Sequence, residues 1–215
     1  MLSYRLLRNH AGILLMGDYE SLVQLHEIVH DVNERSPLIE DEDGAFLGLA
    51  YDVRKAYEQQ REVIPPPNEY EEIGTRFGVE ILWPVLMVQQ RLLRVSLAYM
   101  DHSKRHQAVT YALEALMEDA IAEDFGARAA RISQLWQRID PASPWPMAKL
   151  DSRGAVFSSW TKAERKRHFA DLLESFDPMY PSLYLARLAQ GQQVDALAPD
   201  ALAAWANQEW VDPRW

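Results

Sequence analysis

Hydrophobic and polar positions alternate at the start of the chain. Leu2, Tyr4 and Leu6 are separated by Ser3 and Arg5, which is the period of a half-buried strand. A turn sequence, Asn9-His10-Ala11-Gly12, and a short apolar run from Ile13 to Met16 follow, so the pattern predicts an N-terminal β-hairpin. Gly17-Asp18 breaks it, and Asp18 suits the N-cap of a helix over 18–35 with a core stripe of Leu22, Leu25, Val29 and Val32. Ser36-Pro37 ends that helix. An acidic loop over 40–43 with Gly44 leads to a second helix over 46–61, which stops before the stiff triple proline at 65–67.

The most apolar stretch, 79–100, reads as a central buried helix with Pro84 in its first turn. Arg91 and Arg94 share one face and call for carboxylate partners if that face is covered. The next helix, 103–121, carries Val109, Ala112, Leu113, Leu116 and Ala120 as its stripe, leaving Glu114 and Glu118 to solvent. A short helix through Ile132, Leu135, Trp136 and Ile139 precedes an extended, proline-rich connection over 141–146 that holds Trp145. Thr161-Lys-Ala-Glu164 is a capping box opening a helix with Phe169, Leu172, Leu173 and Phe176. Another helix runs from Pro181 to Leu188 before Gly191, and Pro199 starts a last one with Leu202 and Trp205.

The expected fold is therefore mainly α, a bundle of about six to eight helices with an N-terminal β-hairpin, α+β by strict count. It forms a single domain over 1–215: a hairpin with two helices (1–64), central helices (68–140) and a C-terminal helical extension (147–215). A two-stranded hairpin leaves two edges unpaired. With few other strands in the pattern, the edge containing Leu14 favours pairing with a second copy, giving a homodimer.

Composition narrows the function. At 48% hydrophobic and 25% charged residues the chain is an ordinary globular protein. It contains no cysteine, which excludes thiolate nucleophiles and iron–sulfur clusters and suits a reducing compartment. A net charge of −10 argues against nucleic acid as a partner. The one basic run, Lys162, Arg165, Lys166 and Arg167, includes Glu164 and reads as a solvated helical face. No stretch approaches the ~20 apolar residues of a membrane span. Arg5 and Arg8 before residues 13–16 do not make a signal peptide, because Asp18 and Glu20 follow. A cytoplasmic setting is expected.

One motif carries recognisable chemistry. His26-Glu27-Ile-Val-His30 matches H-E-x-x-H, in which two histidines one helical turn apart hold zinc and the glutamate serves as base for the bound water. Helical geometry opposes this reading. His26 falls on the flank of the core stripe, His30 lies further toward solvent, and Glu27 points nearly opposite the core. Asp31 follows directly, and no third ligand is marked. A second pair, His102 and His106, is interrupted by Lys104 and Arg105, which fits a polar cluster at a helix junction better than a metal site. Among the tryptophans, Trp136, Trp145, Trp160 and Trp205 read as packing, whereas Trp210 and Trp215 either fold back on the domain or meet a partner.

Four stretches taken together, Gly12-Ile-Leu-Leu-Met-Gly-Asp18, Leu25-His-Glu-Ile-Val29, Gly48-Leu-Ala-Tyr-Asp-Val-Arg-Lys-Ala-Tyr57 and Ile81-Leu-Trp-Pro84, resemble a bacterial family of uncharacterised proteins catalogued as a domain of unknown function. The resemblance implies a bacterial, cytoplasmic setting, carries over no activity, ligand or catalytic residue, and weighs against a standard zinc protease. The expected function is thus a non-catalytic interaction or regulatory protein without a cofactor, acting through another protein or its own second copy. The alternative is a metal-dependent hydrolase with His26 and His30 on zinc and Glu27 as base.

Overall fold

The N-terminal alternation does produce two antiparallel strands, but they are half of a larger sheet. The computed structural model describes residues 1–66, 68–69, 71–191 and 197–211; Pro67 and Trp215, which figured in the sequence pattern, lie outside them. β1 (Ser3–Leu6) pairs with β2 (Gly12–Gly17), Tyr4 opposite Leu15 and Leu6 opposite Ile13. β3 (Glu62–Ile64) and β4 (Arg76–Leu82) complete an antiparallel sheet in the order β1-β2-β4-β3. β2 is an interior strand, with Ile13 opposite Ile81 and Leu14 opposite Glu80. The chain's own β4 therefore occupies the edge at Leu14 that was expected to pair with a second copy. The approach of β4 is close enough that a Cβ on Gly12 would stand 2.0 Å from the Ile81 carbonyl oxygen, so only glycine fits.

Strand period divides the sheet. Tyr4, Leu6, Ile13, Leu15, Phe77, Val79 and Ile81 share one face, while Arg5 and Glu80 stand on the other, exposed. On that second face Arg5 Nη2 donates to both Glu62 carboxylate oxygens, at 2.8 and 2.9 Å, joining the two edge strands.

The helices are α1 (Tyr19–Arg35), α2 (Leu47–Tyr57), α3 (Trp83–Ser96), α4 (Lys104–Phe125), α5 (Ala129–Arg138), α6 (Trp145–Ser159), α7 (Lys162–Glu174), α8 (Tyr180–Ala189) and the short α9 (Pro199–Ala203). The fold is α+β and dominated by helices. Asp18 caps α1 as its position suggests, accepting from the Ser21 amide at 2.8 Å. Thr161 and Glu164 close the predicted capping box of α7.

Residues 79–82 belong to β4 and correct the predicted helix over 79–100. α3 starts only at Trp83, with Pro84 in the first turn, where its missing N–H had no intrahelical partner to lose. α3 is still the central helix. Leu86 and Leu93 are fully buried on it, and Trp136 of α5 donates its indole N–H to the Met87 carbonyl at 3.1 Å. A second correction is α6, which begins at Trp145 inside the stretch expected to be extended.

Charged residues also move. Arg165, expected in solvent, is fully buried. It donates to the carbonyls of Phe157 (3.3 Å), Ser158 (3.2 Å) and Asn9 (3.4 Å), tying α7 to the β1–β2 turn. Burial lowers its pKa. Glu114 is not free either, since Arg94 Nε reaches it at 3.1 Å; Arg91 instead donates to the Ile139 carbonyl at 3.3 Å. At the C-terminal end Trp210 folds back on α6. Its indole donates to Asp151 at 3.0 Å, and its ring fills the space where a Gly154 side chain would stand.

Candidate functional site

α1 places the histidine motif as the helical period requires. Leu22, Leu25, Val29 and Val32 are buried, His26 and His30 are half-buried, and Glu27 is exposed. The two imidazoles approach edge to face with centroids 4.6 Å apart. His26 Nδ1 lies 3.4 Å from the Tyr57 hydroxyl, and Tyr57 in turn packs edge-on against Tyr19 at 5.5 Å. The pair therefore belongs to an aromatic cluster between α1 and α2. Among the described residues, no group of three or more His, Asp or Glu is arranged to hold a metal ion.

Burial lowers the His26 pKa from its ordinary 6.5, and the neighbouring His30 and Arg54 lower it further. Well above pH 6.5 the ring is neutral in both states and its packing contributes in full. Below that value the unfolded chain takes up the proton first, so stability falls as pH falls through the lowered folded value. Urea titrations between pH 8 and pH 5 are expected to show this loss, and His26→Phe is expected to flatten it. An unchanged slope in that variant would place the titration elsewhere.

His102 and His106 sit at the start of α4. Ser103 is its N-cap, and His106 completes a capping box with it. His106 Nε2 meets Asp31 at 2.8 Å, Arg35 donates to the same carboxylate at 2.7 Å, and its other arm reaches the Asp101 carbonyl at 2.6 Å. Burial would raise the Asp31 pKa, but the His106 and Arg35 hydrogen bonds prevail and hold it below the usual carboxylate range. This is the polar junction between α1 and α4 that the sequence suggested.

A further ionisable cluster was invisible in the sequence. In the β1–β2 turn Asn9 and His10 both adopt left-handed conformations, with φ of 60° and 54°. His10 stacks on Phe125 and its Nδ1 lies 2.8 Å from Asp124, whose second oxygen accepts from the Trp83 indole at 2.8 Å. The carboxylate orients the ring as a catalytic histidine would need. Asp124 of α4 thereby pins the β1–β2 turn to α3.

The surface differs most from expectation at α8. Tyr180 alone is buried on it, and Met179, Leu183, Leu185 and Leu188 are exposed, Leu185 by 64%. Its one charged side chain, Arg187, is neutralised by Glu174 at 3.0 Å. The nearly charge-free run Met179–Ala189 was the available sequence signal, but the exposure of its side chains depends on tertiary packing and cannot be read from it.

A family model described as a domain of unknown function (DUF6904) matches residues 2–196, nearly the whole chain. No curated protein and no solved structure matches.

Proposed function

The chain belongs to the DUF6904 family, and from that premise we propose that it is a non-catalytic interaction protein of the bacterial cytoplasm that works as a homodimer, two copies meeting through α8. The observation that carries this reading is the pair of exposed leucines Leu185 and Leu188, three residues apart on one side of α8, with Met179 and Leu183 exposed on its other flank, all inside the family-matched residues. Exposed apolar patches mark association sites. Elsewhere, exposed Tyr51 lies under Arg54 and Lys55, and exposed Tyr111 lies under Arg94. Charge selects the partner. Two chains of net charge −10 repel each other, whereas the one charged side chain of α8, Arg187, is paired with Glu174. A helix meeting its own copy across a twofold axis is the simplest closed arrangement.

Light scattering is expected to give about twice the 24.7 kDa chain mass, and Leu185→Glu is expected to return a folded monomer. A wild-type monomer at micromolar concentration would sink the proposal. So would a Leu185→Glu protein that stays dimeric.

The non-catalytic part rests on Glu27, which faces water where a zinc hydrolase needs a base in a sheltered pocket. Protein purified without a histidine tag is expected to contain no stoichiometric zinc. One zinc per chain, lost in His26→Ala, would restore the hydrolase reading.

A further inference from the structure

A cleft of about 320 Å³ opens between the α1–α2 loop and the segment leading into α6, with Leu92 of α3 in its lining. Leu38, Ile39, Phe46, Pro144 and Met147 make its walls apolar. Among the described residues, the ionisable side chains that line it are Glu40 and Asp41, both acidic and exposed. Neither forms an ion pair among the described residues; Asp41 Oδ1 accepts from the Asp43 amide at 3.2 Å, and the rest of both carboxylates is open to the cleft mouth.

The cleft is held open by buried polar groups. Gln89 Nε2 donates to the Ala45 carbonyl at 2.7 Å and Asn33 Nδ2 to the Glu42 carbonyl at 2.9 Å. Ser36 at the loop's start is hydrogen-bonded to the buried Ser96 hydroxyl at 2.7 Å. Two interior side chains thus hold the loop backbone at Glu42 and Ala45 and a third anchors the Ser36 side chain, while prolines stiffen the opposite wall. Clefts that are preformed, mostly apolar and equipped with a few placed polar groups are the usual form of a small-molecule site, and the volume here is at the lower end of their range.

We propose that this cleft binds a small organic amine. The apolar body lies between Phe46, Leu92 and Met147, and the ammonium group faces the Glu40 and Asp41 carboxylates. An anionic ligand would meet two like charges at the mouth, and a neutral one would gain no attraction from them. The site is separate from α8 and does not depend on dimerisation.

Calorimetric titration of the full chain with 4-phenylbutylamine, 4-phenylbutanol and 4-phenylbutyrate tests the selectivity, because the three share a body and differ in head-group charge. The amine is expected to bind about tenfold more tightly than the carboxylate, with the alcohol between them. Glu40→Gln combined with Asp41→Asn, both in an exposed loop, is expected to bring the amine to the level of the alcohol. Met147→Trp, which fills the cleft, is expected to weaken all three. Glu118→Gln on exposed α4 surface should leave the amine unaffected. Equal binding of the three probes, or no saturable binding up to millimolar amine, would overturn the proposal. A Glu118→Gln loss matching that of the loop variant would overturn it too, because general attraction to the acidic chain would then explain the binding.

Discussion

Leu14→Pro is expected to leave no folded protein, while Leu14→Ala should fold with a loss of about 2–5 kcal/mol. Leu14 is fully buried and stands in β2 between Arg5 of β1 and Glu80 of β4. Alanine removes side-chain contacts and keeps every backbone hydrogen bond. Proline also deletes an N–H that an interior strand uses in its ladder, and its ring collides with the neighbouring strand. The sum exceeds roughly 5 kcal/mol, the lower end of total domain stability. Far-ultraviolet circular dichroism and solubility read the outcome. A native spectrum for Leu14→Pro would mean that Leu14 lies at an edge after all, as a two-stranded hairpin would have it.

The residues around β4 show why the sheet was only half legible. Phe77, Val79 and Ile81 alternate with Gly78 and Glu80, so a strand period was present. It ran without a turn residue into Trp83 and Pro84, and the apolar density of 79–100 merged strand and helix into one pattern. β3 is three residues long and directly precedes the proline run, too short for any period to show. α6 was hidden for the opposite reason. Ser152, Arg153, Gly154, Ala155, Val156, Phe157 and Ser158 are all buried, so it has no amphipathic stripe to read.

Candidate sites divided in the same way. The orientation of Glu27 follows from the local period of α1, and the structure agrees with it. The cleft beside Phe46 and the uncovered face of α8 depend on how elements far apart in sequence pack. No local pattern carries that information.

Asp124→Ala is expected to cost about 2–5 kcal/mol, because it strands two donors at once. The Asp124 side chain is only 6% exposed and that of His10 only 16%. Trp83 is fully buried, so its indole N–H cannot turn to water once the carboxylate is gone. His10 can regain some hydration, which makes the Trp83 arm the more costly to lose. Asp124 also restrains a strained turn. Non-glycine residues in the left-handed region cost on the order of 1–3 kcal/mol each unless their surroundings hold them. Asn9 and His10 are held by Arg165 on the Asn9 carbonyl and by Asp124 on the His10 ring. With Asp124 removed the turn is free to relax, and amide exchange at residues 8–11 should accelerate more than the global loss explains. Asp124→Asn keeps one acceptor oxygen but turns an amide donor toward either His10 or Trp83, so an intermediate cost is expected. Urea titration measures both variants against Glu118→Ala, which removes an exposed carboxylate and should stay within about 0.5 kcal/mol. If Asp124→Ala matched that surface control, the fold would not depend on the pin between the β1–β2 turn, α3 and α4.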